Sequence, residues 1–248
     1  MADGSEQLYG SVAPLRNVSA LATLIKRVQD RTHGLPGMAV FYGPSGFGKT
    51  TSAIYAANKF DAAHVEVRSV WTSKKLLQAI LAELSVVPKR TVADMLDQAA
   101  AALAVAARPL IIDEADHLVR RNMIEIARDL HEASGAPVIM IGEELLPQRL
   151  QRWERVHGRI LDWVEAQPAC LDDVERLATI YAPGVDFEEA YLSALLDASG
   201  NSIRRVSVNL ERAEEVAKRA GTNRMTLAAW AGHEFFRGAA PSPRRGIA

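Results

Sequence analysis

Gly43, Gly48, Lys49 and Thr50 stand at the spacing G-x-x-x-x-G-K-[ST] within "FYGPSGFGKTT". At that spacing successive backbone N–H groups curl into an anion nest, the lysine reaches the β- and γ-phosphates, and the hydroxyl is offered to Mg2+. Pro44, Ser45, Gly46 and Phe47 form the body of the loop and Thr51 follows it. The stretch reads as a cradle for a nucleoside triphosphate. A second group lies in "LIIDEAD". Asp113 ends an apolar run, where a carboxylate can hold Mg2+ directly or through water alongside Thr50. Glu114, next to it, can orient and deprotonate an attacking water.

Phosphoryl transfer also calls for positive charge on the γ-phosphate, commonly from an arginine finger. The stretch "LPQRLQRWERVHGRI" offers Arg149, Arg152, Arg155 and Arg159, and a finger among them would serve the nucleotide of a neighbouring subunit. With Lys49 and Glu114, the catalytic candidates are Arg152, Arg155 and Arg159. Arg204 and Arg205, in "GNSIRRV", could reach the nucleotide from a second domain. His64, His117, His131 and His157 have no metal-ligand spacing and read as structural or surface residues.

The elements that must position these groups follow from the hydrophobic pattern. Met38 to Tyr42 predicts a buried strand ending in the phosphate loop, and a helix from Lys49 onward turns its N-terminus to the anion. "AHVEV", "PLIID" and "APVIMIG" predict three further strands. "TSKKLLQAILAEL", "TVADMLDQAAAALAVAAR" and the stretch from Arg121 to Ala133 predict helices, with Thr91 and Asp94 in capping-box spacing and a stop at Ser134-Gly135. An opening helix over "NVSALATLIKRVQDRTHG" takes Asn17 or Ser19 as its cap. Strands alternating with helices predict an α/β fold: a parallel sheet carrying the P-loop, covered by helices on both faces. From about Cys170 the pattern is helical throughout and predicts a small all-helical lid. The expected division is an N-terminal segment and helix over 1–35, a P-loop core over 36–168, the lid over 169–237 and a flexible tail over 238–248.

Length and composition suit a soluble globular protein: 248 residues, 48% of them hydrophobic, with a net charge of −1. That balance excludes wholesale disorder and a constitutively basic nucleic-acid binder, so any DNA contact must come from a local patch. No stretch approaches the ~18 apolar residues of a membrane span, and "MADGSEQLYG" lacks a signal pattern, which predicts a cytoplasmic protein with no membrane partner. Cys170 is the single cysteine and is expected to be a buried, inert thiol.

Taken together, "GPSGFGKT", "LIIDEAD", the following strand "VIMIG", the arginine cluster and a helical lid with "GNSIRRV" resemble the AAA+ ATPases. Within them the chain looks most like the bacterial transposition ATPases, the group of the phage Mu B protein, TnsC, TniB and IstB. The segments "MIGEELLPQRLQRWERV" and "SVWTSKKLLQAILAEL" carry that closer likeness. The resemblance implies ATP with Mg2+ as cofactors and a homo-oligomer, ring or helical filament, on double-stranded DNA without sequence preference. It also implies a transposase partner whose target choice the oligomer regulates. It makes Lys74 and Lys75, after the second strand, the DNA-contact candidates, with Arg120 and Arg121 as secondary ones. A lid arginine, Arg204 or Arg205, takes the sensor-two position, and Glu143 stands among the nucleotide-binding residues where the family usually has a polar uncharged sensor.

Two other readings fit the same motifs. A helicase loader of the same superfamily would bind a helicase rather than a transposase. A slowly hydrolysing scaffold or switch would use the nucleotide mainly to control assembly, a reading that Glu143 favours and Glu114 opposes.

Overall fold

The computed structural model describes residues 15–239. Most of the expected 238–248 tail, and the start of the expected 1–35 segment, lie outside the described residues. The described chain divides into two compact units, Asn17–Gln167 and a second made of residues 168–239 with 15 and 16.

The first unit holds a five-stranded, wholly parallel sheet in the order β2-β3-β4-β1-β5. Along the chain it runs α1 (Arg16–Gln29), β1 (Met38–Tyr42), α2 (Lys49–Phe60), β2 (Ala63–Glu66), α3 (Ser73–Glu83), α4 (Val92–Ala106) and β3 (Leu110–Asp113). It continues with α5 (Asp116–Arg120), α6 (Ile124–Ser134), β4 (Val138–Gly142), α7 (Leu146–Leu150), α8 (Glu154–His157) and β5 (Ile160–Glu165). Alternate residues of each central strand feed two cores. Met38, Val40, Ile112 and Met140 pack with Leu76, Leu77, Ile80, Leu103 and Leu130 from α3, α4 and α6. Ala39, Phe41, Ile111, Ile139 and Ile141 pack on the other face with Leu21, Ile25 and Val28 of α1 and Ala53 and Ala56 of α2. Burial on both faces is why these strands read as continuous apolar runs.

Local chemistry ends the helices where the sequence signals it. Thr72 Oγ1 accepts the Lys75 N–H at 3.4 Å, Thr91 Oγ1 accepts the Asp94 N–H at 3.1 Å, and α6 stops at Gly135, whose φ is +68°.

Four expectations change. Asn17 does not cap α1, which already begins at Arg16; its amide is used elsewhere. A short helix, α5, precedes α6, which starts at Ile124 rather than Arg121. A fifth strand, β5, follows the arginine cluster, so that cluster lies between β4 and β5 instead of after the last strand. β5 hides from a period-two reading because its pairing with β1 shifts register between Met38 and Ala39. The bulge leaves Ile160 and Trp163 on one core and Leu161 and Val164 on the other, a spacing of three within each pair. Cys170, finally, is half-buried rather than buried, and its thiol lies 3.3 Å from Asp173 Oδ2.

The second unit is built on α9 (Leu171–Tyr181), α10 (Glu189–Ala198) and α11 (Ile203–Ala220), with a two-residue parallel pair, β6 (Asp186–Phe187) and β7 (Arg224–Met225), added to the expected helices. Buried Asn209 on α11 donates to Ser199 Oγ at 2.9 Å and Phe236 O at 3.0 Å and accepts the Phe236 N–H at 2.7 Å, tying the following segment to the helix. No helix among the described residues is long and apolar enough to cross a membrane.

Ile139 is wholly buried in the central strand β4. Ile139→Ala should lower the stability of this unit by about 2–5 kcal/mol in urea unfolding followed by circular dichroism.

Candidate functional site

Three carboxyl-terminal strand ends meet at the site, those of β1, β3 and β4. β1 runs into the phosphate loop, where Gly43 (φ +155°), Gly46 (φ +88°) and Gly48 (φ +79°) take backbone conformations that side chains disfavour. A Cβ on Gly43 would also stand 3.0 Å from the Ala166 Cβ. The first turn of α2 begins at Lys49 with neither an acidic residue nor a side-chain cap. Its N-terminal amides and dipole therefore suit an anion. Lys49 Nζ donates to Gly43 O at 2.7 Å and Pro44 O at 2.9 Å, while Thr50 and Thr51 are exposed. Burial pushes the Lys49 amine below its ordinary range, opposed by the carboxylates of Glu114, Asp113, Asp116 and Glu143.

Asp113, at the end of β3, is 1% exposed. Its Oδ1 accepts the Glu114 N–H at 2.8 Å, and its buried Oδ2 has no hydrogen-bond partner among the described residues. A buried carboxylate oxygen without a donor is costly, and a hard divalent cation is the group that satisfies it. Among the described residues no three His, Cys, Asp or Glu side chains form a metal cage, and Mg2+ held by one carboxylate plus substrate phosphates needs none. The donor set, Asp113 with the Thr50 hydroxyl as a second candidate, thus fits Mg2+ accompanying a triphosphate.

Glu114 has φ +55°, a left-handed conformation that costs a non-glycine residue about 1–3 kcal/mol. Burial first, and Asp113 second, raise its carboxyl above the usual carboxylate range, as suits a base working near neutral pH.

Two positioning residues escaped the motif reading. Buried Asn17 donates through Nδ2 to Phe47 O and Gln167 O, each at 2.8 Å, and its Oδ1 accepts the Gln167 N–H at 2.8 Å. It thereby fastens the phosphate loop to the segment after β5. Its place at the head of an amphipathic helix looks like a cap, and only the fold shows otherwise. Asp116, 1% exposed, accepts the Glu143 N–H at 2.6 Å and pairs with Arg149. The second acid of "DEAD" was its only sequence signal.

The remaining candidates separate by their contacts. Glu143 pairs with Arg149 at 3.5 Å and with Arg120 at 3.3 Å. Arg159 is engaged by Glu132 at 2.7 Å, whereas Arg152 and Arg155 are exposed with no ion pair among the described residues. In the second unit Arg205 donates to Ser199 O at 3.3 Å and Arg204 is exposed. Lys74 and Lys75 are exposed in the first turn of α3, with Lys75 Nζ 5.7 Å from the Trp71 ring centroid. Arg121 donates through Nε to Ser69 O at 2.7 Å, bracing the loop that leads to those lysines.

Two outcomes follow. Because folding raises the Glu114 pKa, ionised Glu114 opposes the folded state above the ordinary carboxylate range, and protonation relieves this below it. Glu114→Gln should therefore raise the melting temperature of the nucleotide-free protein near neutral pH, an increase that shrinks as the pH falls into the ordinary carboxylate range. Asn17→Ala leaves three backbone groups without their partner and should lower stability by about 2–3 kcal/mol, with weaker nucleotide binding measured by calorimetry.

Comparison with known proteins agrees with this geometry. A family model described as an AAA domain matches residues 32–150. The ORC2 protein of Aeropyrum pernix, in ADPNP and ADP complexes, has a similar fold, with a TM-score of 0.66 at 18% identity over 86% of this chain and 64% of that one. The ORC1 protein of Aeropyrum pernix in complex with DNA gives a TM-score of 0.63 at 19% identity over 88% of this chain and 64% of that one. The Thermotoga maritima RuvB Holliday junction branch migration motor gives 0.58 at 18% over 86% and 66%. The chain thus spans less than two thirds of each of these proteins. No curated protein sequence matches it. Residues 32–150 are thus similar to an AAA domain, and the chain shares the parallel-sheet P-loop fold of these structures.

Proposed function

We propose that the chain is an ATP- and Mg2+-dependent AAA+ ATPase that assembles as a homo-oligomer on double-stranded DNA and regulates the target choice of a transposase. The buried, unpartnered Oδ2 of Asp113 beside the phosphate loop is the observation that carries the nucleotide part. In this reading the loop amides and Lys49 would hold the phosphates, and Thr50 and Asp113 would hold Mg2+, which would supply charge neutralisation for phosphoryl transfer. Glu114 takes the proton from the attacking water. Arg152 and Arg155, exposed and without an ion pair among the described residues, serve as fingers toward a neighbouring subunit in this reading, with Arg159 less available because of Glu132. Of the two lid arginines this reading assigns Arg204 to the nucleotide, since it is exposed while Arg205 donates to Ser199 O.

The DNA part rests on Lys74 and Lys75, exposed side by side, and the transposition part on the motif resemblance. Arg120 and Arg121 contribute less directly in this reading, since Glu143 and Ser69 O already engage them. Weak single-subunit contacts add up along a filament, which reconciles a net charge of −1 with DNA binding. The helicase-loader reading uses the same nucleotide residues, and the likeness to ORC folds serves it equally; the partner distinguishes the two.

Electron microscopy with duplex DNA, with and without ADPNP, tests the proposal. Filaments or rings should form only with nucleotide. Lys49→Ala should fail to assemble, and Glu114→Gln should give assemblies that persist with ATP. Lys74→Glu with Lys75→Glu should weaken DNA binding by more than about tenfold while sparing nucleotide binding. Nucleotide binding with no DNA assembly would overturn the DNA-coating reading in favour of a loader or switch.

A further inference from the structure

Glu143 places a carboxylate beside a loop built for a triphosphate, which by charge alone opposes binding. Gly43 N–H donates to Gly142 O at 3.3 Å, so the residue before Glu143 is joined to the first residue of the phosphate loop, whose carbonyl holds Lys49. Both Glu143 and Asp116 act electrostatically on Lys49. The structure meets this acidity with one arginine. Arg149 Nη1 pairs with Asp116 and lies 3.5 Å from Glu143 Oε2.

The two contacts differ in kind. The Asp116 carboxylate is buried and fully committed, one oxygen to Arg149 and the other to the Glu143 N–H. Gly142 is part of the fit, because a Cβ there would stand 2.3 Å from Asp116 Oδ2. Glu143 is half exposed and its contact is longer, so it is the weaker partner. Arg149 uses Nη1 alone, and its remaining guanidinium donors have no partner among the described residues.

We propose that Arg149 reads the terminal phosphate of the nucleotide bound to its own chain: Asp116 holds the guanidinium beside the phosphate loop, and Glu143 is the carboxylate it exchanges for the γ-phosphate. This rests on the triphosphate reading of the loop. It assigns discrimination between tri- and diphosphate to the Asp116–Arg149–Glu143 group instead of a polar sensor side chain. A doubly charged phosphate oxygen group outcompetes a half-exposed carboxylate for a guanidinium, whereas a diphosphate leaves the Glu143 pair in place. Arg120, 3.3 Å from Glu143, keeps the displaced carboxylate neutralised.

Calorimetric titration of the full chain with Mg2+ and either ADPNP or ADP decides this. The wild type should bind ADPNP more tightly than ADP. Arg149→Gln should weaken ADPNP by about tenfold, the scale of one charge-assisted hydrogen bond, while changing ADP less than about twofold. Arg149→Lys, which keeps the charge and a donor for Asp116, should restore part of the preference. Glu143→Gln should tighten ADPNP severalfold and leave ADP unchanged. Equal loss of both nucleotides in the two Arg149 variants would assign Arg149 a purely structural role and overturn the proposal, as would an unchanged preference in all three variants. A wild type that binds neither nucleotide would overturn the triphosphate reading itself.

Discussion

The unpartnered Oδ2 of Asp113, buried at the end of β3, is the constraint around which the first unit is arranged. A carboxylate can be kept there only because the strands on either side hold their own ends in register. Val67 N–H bonds to Asp113 O at 3.0 Å on the β2 side, and Ala115 N–H bonds to Ile141 O at 2.9 Å on the β4 side. The apolar packing of both sheet faces prevents the strand from sliding to expose the acid, since a slip by one residue would turn every side chain to the wrong core. The cost of the orphan oxygen, together with the strained φ of Glu114, sits where a cation and a phosphate would relieve it.

Around that centre the molecule distributes charge in opposed pairs. Lys49 is parked on two loop carbonyls within the field of four carboxylates, and Arg149 and Arg120 answer Glu143. Asn17 and Asp116 are the two buried polar side chains that keep the loops in place, one at the phosphate loop and one at the turn after β4. Each has its hydrogen bonds satisfied, which is why each can rigidify a loop without penalty. Fixed loops and a strained carboxylate-bearing residue, Glu114, suit a site organised before its ligand arrives.

The sheet and the phosphate loop were legible because their signals are local. The three central strands are buried on both faces and appear as apolar runs, the edge strand β2 shows by its place in the alternation with helices, and the loop's glycines sit where positive φ is required. β5 was not legible, because a bulge breaks its period and its acids Asp162 and Glu165 mark a partly exposed edge. The roles of Asn17 and Asp116 were hidden for a different reason. Their partners, Gln167 and Arg149, are remote in sequence, and nothing local distinguishes a clamp from a cap or from a surface acid. The arginines show the same limit: composition offered a cluster, and only the contacts of Arg149 and Arg159 separate the engaged members from Arg152 and Arg155.

Whether Asp113 completes a site for Mg2+ accompanying a triphosphate is decided by thermal unfolding of wild type and Asp113→Asn with ADPNP, with and without Mg2+. At a hundredfold excess over Kd, binding to the folded state alone should stabilise the wild type by about 2.7 kcal/mol. Adding Mg2+ should raise the wild-type shift, and Asp113→Asn should keep a nucleotide shift but lose the Mg2+ increment. A Mg2+ increment of equal size in both proteins would contradict a Mg2+ site at Asp113.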